Sequence, residues 1–358
     1  MKILALAGDL GGARALLPVI RRLKKNGNDV MLKAYGLAKT TWQSEGYPSN
    51  EILPVRLEGA ECLMLGTSMN SEMHELEYIA EARRNCIRSV AVMDFWSNVK
   101  ERFLAHDGRL EVPDTIAVLD NKQKSDMVKK GFREDSLVVT GSPALEEVAS
   151  QPSTMSREAV RGALAAEYDV PGDIPWVLFV SQPIQGMGLD KKYGYDENSV
   201  LNTVISEMKA VLNSHDKHAA LFILRHQREY PVRMPVQDAS ESGLIIRNLK
   251  KDGIPSKELF EGIDLVTGMN SMLLYEAVLR SKIVVSYQPG LKNNDLLPSN
   301  KQGLSIPACD ASELKNAIER CLFDKTFVSI TIQRLESTRY PEGAAERIAE
   351  LLQKRNVK

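Results

Sequence analysis

The sequence is poor in the residues that staple a fold or hold a metal. Only four cysteines occur among 358 residues, Cys62, Cys86, Cys309 and Cys321, and none forms a Cys-x-x-Cys pair. That excludes a disulfide framework and a zinc ribbon, and it reads as reduced, mostly buried thiols of a cytoplasmic protein. His215 and His218 stand close in sequence, but no carboxylate-and-histidine cluster surrounds them, so no metal site is expected. No apolar run approaches the ~20 residues that span a bilayer. The opening "MKILALAGDLGG" imitates a signal peptide, but its apolar stretch is short and Asp9 interrupts it. A buried first strand is the better reading. A formal net charge of −1 gives no general basic excess, so nucleic acid is not an expected partner and any anion site must be local. The cluster "RRLKKNG" (Arg21 to Gly27) leaves room for peripheral membrane contact, although the solvated end of a helix explains it. No short repeat and no low-complexity segment is present.

What is present is alternation. Short apolar runs such as "KILALAG", "DVMLKAYG", "ECLMLGTS", "IRSVAVMD", "DTIAVLD" and "SLVVTGSP" alternate with amphipathic stretches. One of these is "ARALLPVIRRLKKNG", with Leu16, Leu17, Ile20 and Leu23 on one face and Pro18 read as lying near its start. Such alternation predicts parallel βαβ units. The pattern loosens after Glu146 and restarts with "PWVLFVSQP", "AALFILRHQRE", "GLIIRN", "IDLVTG" and "KIVVSYQPG". The expected organisation is a first Rossmann-like domain over 1–150, a linker over 151–173, a second such domain over 174–340 and a C-terminal helix over 341–358 that packs back on the first. Two doubly wound parallel-sheet domains facing across a cleft would carry ligand sites at the carboxyl ends of their strands.

The strand-end loops hold the candidate residues. "GDLGGAR" carries Asp9, Gly11, Gly12 and Arg14 at the start of a helix, where glycines admit close approach and the helix terminus favours an anion. Its spacing is neither Gly-x-Gly-x-x-Gly nor Gly-Lys-Ser/Thr, and a tight βα turn fits it equally well. Asp94 ends an apolar strand and precedes Phe95 and Trp96, a setting that raises a carboxyl pKa and suits a general base; the alternative is a helix cap near Ser97. "TGSP" places Ser142 as a cap before Pro143. Ser181 and Gln182 end the second half's first strand. Arg225 and His226 follow its second, where cations suit a diphosphate. In "TGMNSMLLYEA", Asn270 or Ser271 caps a helix whose Glu276 lies too deep for a capping box. That carboxylate is either solvated or turned toward a ligand.

Taken together, these motifs resemble the GT-B glycosyltransferase superfamily, and within it lipid A disaccharide synthase, UDP-N-acetylglucosamine 2-epimerases and capsule-type transferases. The resemblance implies that Asn270 and Ser271 contact the diphosphate of a nucleotide sugar such as a UDP-sugar, that Glu276 binds the ribose, and that His226 approaches phosphate. It places Tyr287, Gln288 and Asn294 near the donor sugar, with Ser181 among the donor contacts. The implied activity is metal-independent glycosyl transfer to an acceptor sugar or lipid, in polysaccharide or glycolipid synthesis, with Asp94 or Asp9 deprotonating the acceptor. A 2-epimerase or hydrolase, and a non-catalytic nucleotide-sugar binding protein, are the alternatives.

Overall fold

A computed structural model describes residues 1–69, 72–226, 229, 243–250, 253–291 and 295–353. The chain divides into two compact units, Met1–Ser150 with Tyr340–Lys358, and Gln151–Arg339.

The first unit holds β1 (Lys2–Ala7), β2 (Asp29–Ala34), β3 (Cys62–Leu65), β4 (Arg88–Val92), β5 (Thr115–Val118) and β6 (Leu137–Val139). They form one parallel sheet in the order β2-β1-β3-β4-β5-β6. Because crossover helices cover both faces, the strands are apolar throughout rather than alternating. β1, β3, β4 and β5 are buried at almost every residue. The helix Leu10–Lys25 starts where the Asp9 carboxylate accepts from the Gly12 N–H, and ends in Arg22, Lys24 and Lys25. Its buried stripe includes Leu16, Leu17, Ile20 and Leu23. The Asp9 cap begins the helix earlier than the apolar pattern does, so Pro18 falls two turns inside it rather than at its start. An interior proline forfeits a backbone hydrogen bond, and the packing of this stripe carries that cost. The final helix, Ala344–Gln353, buries Ile348, Ala349, Leu351 and Leu352 in the same core.

The second unit holds β7 (Trp176–Val180), β8 (Ala219–Leu224), β9 (Leu244–Asn248), β10 (Leu265–Gly268), β11 (Ile283–Tyr287) and β12 (Ile306–Ala308). This sheet is also parallel throughout, ordered β12-β11-β10-β7-β8-β9. The helices Glu197–His215 and Ala311–Phe323 close its main core. β12 has no counterpart in the sequence reading: it is three residues long and contains Pro307, which an edge position tolerates. Residues 151–173 include the helix Arg157–Tyr168, which belongs to this unit. Arg157 and Arg161 of that helix both pair with Asp264 just before β10, at 2.5 and 2.8 Å.

One sequence expectation changes here. Cys62 and Cys321 are buried, but Cys86 and Cys309 are exposed, so the thiols are not mostly buried; all four are free. Among the described residues, no helix is long and apolar enough to cross a membrane.

Candidate functional site

In an open parallel sheet, the strand order reverses at one place, and the loops leaving the two strands there diverge to opposite faces and open a crevice. In the first unit that place lies between β1 and β3, and in the second between β7 and β10. Most of the candidate residues fall on loops at or near these two reversals.

In the first unit, the loop after β1 is tied to the loop after β3. The Gly8 N–H donates to Ser68 Oγ at 3.1 Å, and the Met69 N–H donates to Asp9 Oδ2 at 3.1 Å. The other Asp9 oxygen takes the Gly12 N–H at 2.8 Å. Asp94, two residues past β4, lies against the start of the helix Leu10–Lys25. A Cβ on Gly11 would land on its Oδ2, so glycine is required there to admit the carboxylate. Gly12 is buried, while Gly11 and Arg14 are partly exposed on the same turns.

Asp94 is not a helix cap. The chain after it bends into a short 3-10 turn at Glu101–Phe103, and Asp94 Oδ1 instead accepts from Arg102 Nη1 and, at 3.3 Å, from Thr67 Oγ1. Arg102 is itself buried and also donates to the carbonyls of Thr67 and Ser97. Burial pushes the Asp94 carboxyl above its usual range. Arg102 opposes this, and the nearby charge of Asp9 adds to it. A third carboxyl, Glu75, is fully enclosed, with Tyr35 and Ser68 both donating to it. Burial raises its pKa too, against those hydrogen bonds. Neither Arg102 nor Glu75 emerged from the sequence. Arg102 sits in "VKERFLA" beside Lys100 and Glu101, and nothing in that run of charges singled it out.

In the second unit, the two reversal loops clasp each other through a reciprocal pair. Gln182 Nε2 donates to Asn270 Oδ1 at 2.9 Å, and the Asn270 N–H donates to Gln182 Oε1 at 2.8 Å. Asn270 also meets the Tyr193 hydroxyl, and the Tyr193 ring stacks on Tyr195 at 5.7 Å. Gly268 lets the loops approach, since a Cβ there would lie 2.6 Å from the Val180 carbonyl oxygen. Ser271 caps the helix Met272–Leu279 by accepting from the Leu273 N–H. Glu276 is only 5% exposed, so it is not a solvated residue of that helix.

Several polar atoms here lack a protein partner. Among the described residues, Ser181 Oγ, Thr267 Oγ1, Tyr195 Oη, Gln288 Oε1 and Arg225 Nη2 are buried without a hydrogen bond. Arg225 is otherwise committed to Glu229 at 3.0 Å, an i,i+4 ion pair that already answers much of its charge. His226 is exposed, and its N–H donates to Glu229. Gln288 gives its Nε2 to Ser286 and Asp295.

Tyr287 departs from expectation. It is the last residue of β11, and side chains alternate along a strand. Ser286 and Gln288 therefore share one face, while Tyr287 packs into the hydrophobic core with its hydroxyl on Thr203. Asn294 lies outside the described residues. Among those described, no group of three or more His, Cys, Asp or Glu side chains could hold a metal ion.

No family model matches the sequence, and no curated protein matches it. Solved structures do. A UDP-GlcNAc 2-epimerase from Methanocaldococcus jannaschii aligns over 99% of both chains with a TM-score of 0.66 and 14% identity. HepE of Anabaena, solved with UDP and glucose, covers 99% of this chain and 100% of its own, with a TM-score of 0.61 and 14% identity. MurG of Acinetobacter baumannii covers 99% of both chains, with a TM-score of 0.53 and 12% identity. The fold is GT-B. Two six-stranded parallel sheets, each with helices on both sides, are the two Rossmann-like halves of that architecture. At these identities the likeness concerns the fold alone.

Proposed function

We propose that this GT-B protein is a nucleotide-sugar enzyme whose second unit binds the nucleoside diphosphate and whose first unit supplies the acid–base carboxyl, Asp94. The observation that carries the reading is the set of unpartnered buried polar atoms around the second strand-order reversal. Each costs about 1–3 kcal/mol if left unmet. Five together rival the ~5–15 kcal/mol net stability of a typical domain, so water or a ligand must answer them. A ligand rich in hydroxyls, carbonyls and phosphate oxygens complements this mixture of hydroxyls, an amide oxygen and a guanidinium. The start of the helix Met272–Leu279 and Arg225 would meet the negative charge that grows on a departing diphosphate. Glu276, buried in that helix, is the candidate ribose contact. Ser181, Asn270, Ser271 and Gln288 are the candidate polar contacts to the rest of the donor.

Asp94 suits proton abstraction because a general base works best with a pKa lifted toward the working pH. Asp9, bound to two backbone N–H groups, is the poorer candidate, since a carboxylate so engaged is held as a cap. Two reactions use such a base. In glycosyl transfer it deprotonates an acceptor hydroxyl of a sugar or lipid. In epimerisation it removes a sugar C–H proton. The UDP-GlcNAc 2-epimerase and HepE, solved with UDP and glucose, share this fold at similar TM-scores, 0.66 and 0.61, and the fold accommodates both readings. A cytoplasmic setting belongs to this reading, since the four free thiols suit a reducing compartment.

The deciding experiment is incubation with UDP-GlcNAc in heavy water, with and without acceptors. Deuterium at the sugar C2 supports epimerisation. UDP release only with an acceptor supports transfer. Binding with neither leaves a nucleotide-sugar binding protein.

A further inference from the structure

The second unit has a cavity of about 1140 Å³ that is remote from the strand-order reversal. Its lining includes Pro175, Asp264 and Lys282, the residues immediately before β7, β10 and β11. These strands are parallel, so the cavity lies at their amino-terminal edge, while Ser181, Met269 and Gln288 lie at the other. The length of the strands separates the two by roughly 15 Å at about 3.3 Å per residue.

Its lining mixes charged and apolar groups. Arg157, Arg161, Arg280, Lys282 and Lys325 line it against four carboxylates, Asp173, Glu261, Asp264 and Glu336. Both helix arginines are spent on the single carboxylate of Asp264. Lys282 Nζ meets Glu261 at long range, 3.7 Å to its carboxylate and 3.5 Å to its carbonyl oxygen, and among the described residues Arg280 keeps a buried Nε without an acceptor. Leu322, Val328 and Ile332 also line it, partly covered over the core, and Val328 and Ile332 share the helix Lys325–Ser337 with Lys325. The volume is on the scale of small-molecule pockets, about 300–1,000 Å³.

We propose that this cavity binds a free amphipathic anion, a phosphate monoester or carboxylate on an apolar body, with its head on Arg280, Lys282 and Lys325 and its body on Leu322, Val328 and Ile332. Burial pushes the Lys282 ammonium down, Arg157 adds to this, and Glu261 and Asp264 oppose it. A bound anion adds a closer counter-charge than Glu261 supplies at 3.7 Å.

The test is calorimetric titration of the whole chain with octyl phosphate, with inorganic phosphate as the companion ligand. The expected result is one saturable site for octyl phosphate, weakened at least about tenfold in Lys282→Met and not displaced by UDP. Lys325 is exposed, so Lys325→Glu keeps the fold intact and should weaken binding in the same direction. Absence of saturation by about 1 mM overturns the proposal, as does displacement by UDP or unchanged binding in both variants. Inorganic phosphate binding as tightly as octyl phosphate overturns the apolar half. Co-flotation with phosphatidic-acid vesicles reassigns the surface to a bilayer and overturns the free-ligand proposal.

Discussion

The two units share a sheet architecture but treat their strand ends in opposite ways. In the first, the charged groups by the β1–β3 reversal are already satisfied: Asp94 by Arg102 and Thr67, Asp9 by two backbone N–H groups, Glu75 by Tyr35 and Ser68. In the second, among the described residues, hydroxyl, amide and guanidinium atoms are buried without a hydrogen-bond partner. A closed set of hydrogen bonds fixes geometry and tunes a pKa. An open set stores binding capacity. The same fold thus holds a hydrogen-bonded carboxyl in one half and buried polar atoms without partners in the other, the contrast on which the proposed function rests.

The largest effect that would break this contrast is on turnover. Asp94→Asn should lower kcat by about 10²- to 10⁴-fold, the range for losing a general base. Nucleotide affinity should stay within about twofold, read by steady-state kinetics beside calorimetry. Equal loss of affinity would put ligand binding in the first unit as well.

Next in size is binding. Gln288→Leu should weaken UDP by about tenfold, equivalent to about 1.4 kcal/mol. Ser181→Ala should weaken it less, yet leave the free protein as stable or more so, because it removes a buried hydroxyl that lacks a partner. Urea midpoints with and without UDP measure both. A Ser181→Ala variant that is less stable without ligand would show that the hydroxyl is satisfied after all.

A smaller effect is expected in the backbone. Gly268→Ala forces a Cβ to 2.6 Å from the Val180 carbonyl oxygen and should cost about 1–3 kcal/mol in a denaturant melt. The smallest effects sharpen the contrast by pH. The Asp94 carboxyl is raised by burial, so activity should fall as the pH drops through that raised value. Arg102→Met removes the opposing cation and should move the acid limb of kcat/KM to higher pH. The Glu75 pKa is also raised on folding, so the folded state holds its proton over a window where the unfolded chain has released it. Stability should therefore decline as pH rises from the ordinary carboxylate range through the raised value, and Glu75→Gln should flatten that slope.

Much of the fold could be read from patterns of apolar runs. β1, β4, β7 and β10 are continuous buried runs, and that is the signature of a parallel sheet covered on both faces. β12 could not be read, because three residues around Pro307 carry no period. Asp94 was visible as a strand-end carboxylate, since only position along a run was needed, whereas Gln288 entered through the resemblance. Arg102 was not visible as the partner of Asp94, because an irregular loop between them sets the contact and no spacing rule describes it. Tyr287 was placed near the donor only through the resemblance, and the two-residue period of a strand puts it on the face opposite Gln288, in the core. The Arg225–Glu229 pair leaves less charge for a diphosphate than the bare sequence suggested, and its four-residue spacing gave no warning because no helix holds Arg225 there.

The central claim is that the nucleotide belongs to the second unit and the reacting carboxyl to the first. Calorimetric titration of UDP into the wild-type chain, Gln288→Leu and Asp94→Asn tests it most directly. The account predicts one site in the wild type, unchanged affinity in Asp94→Asn and about tenfold weaker binding in Gln288→Leu. No UDP binding to the wild type, or loss in Asp94→Asn with none in Gln288→Leu, would contradict it.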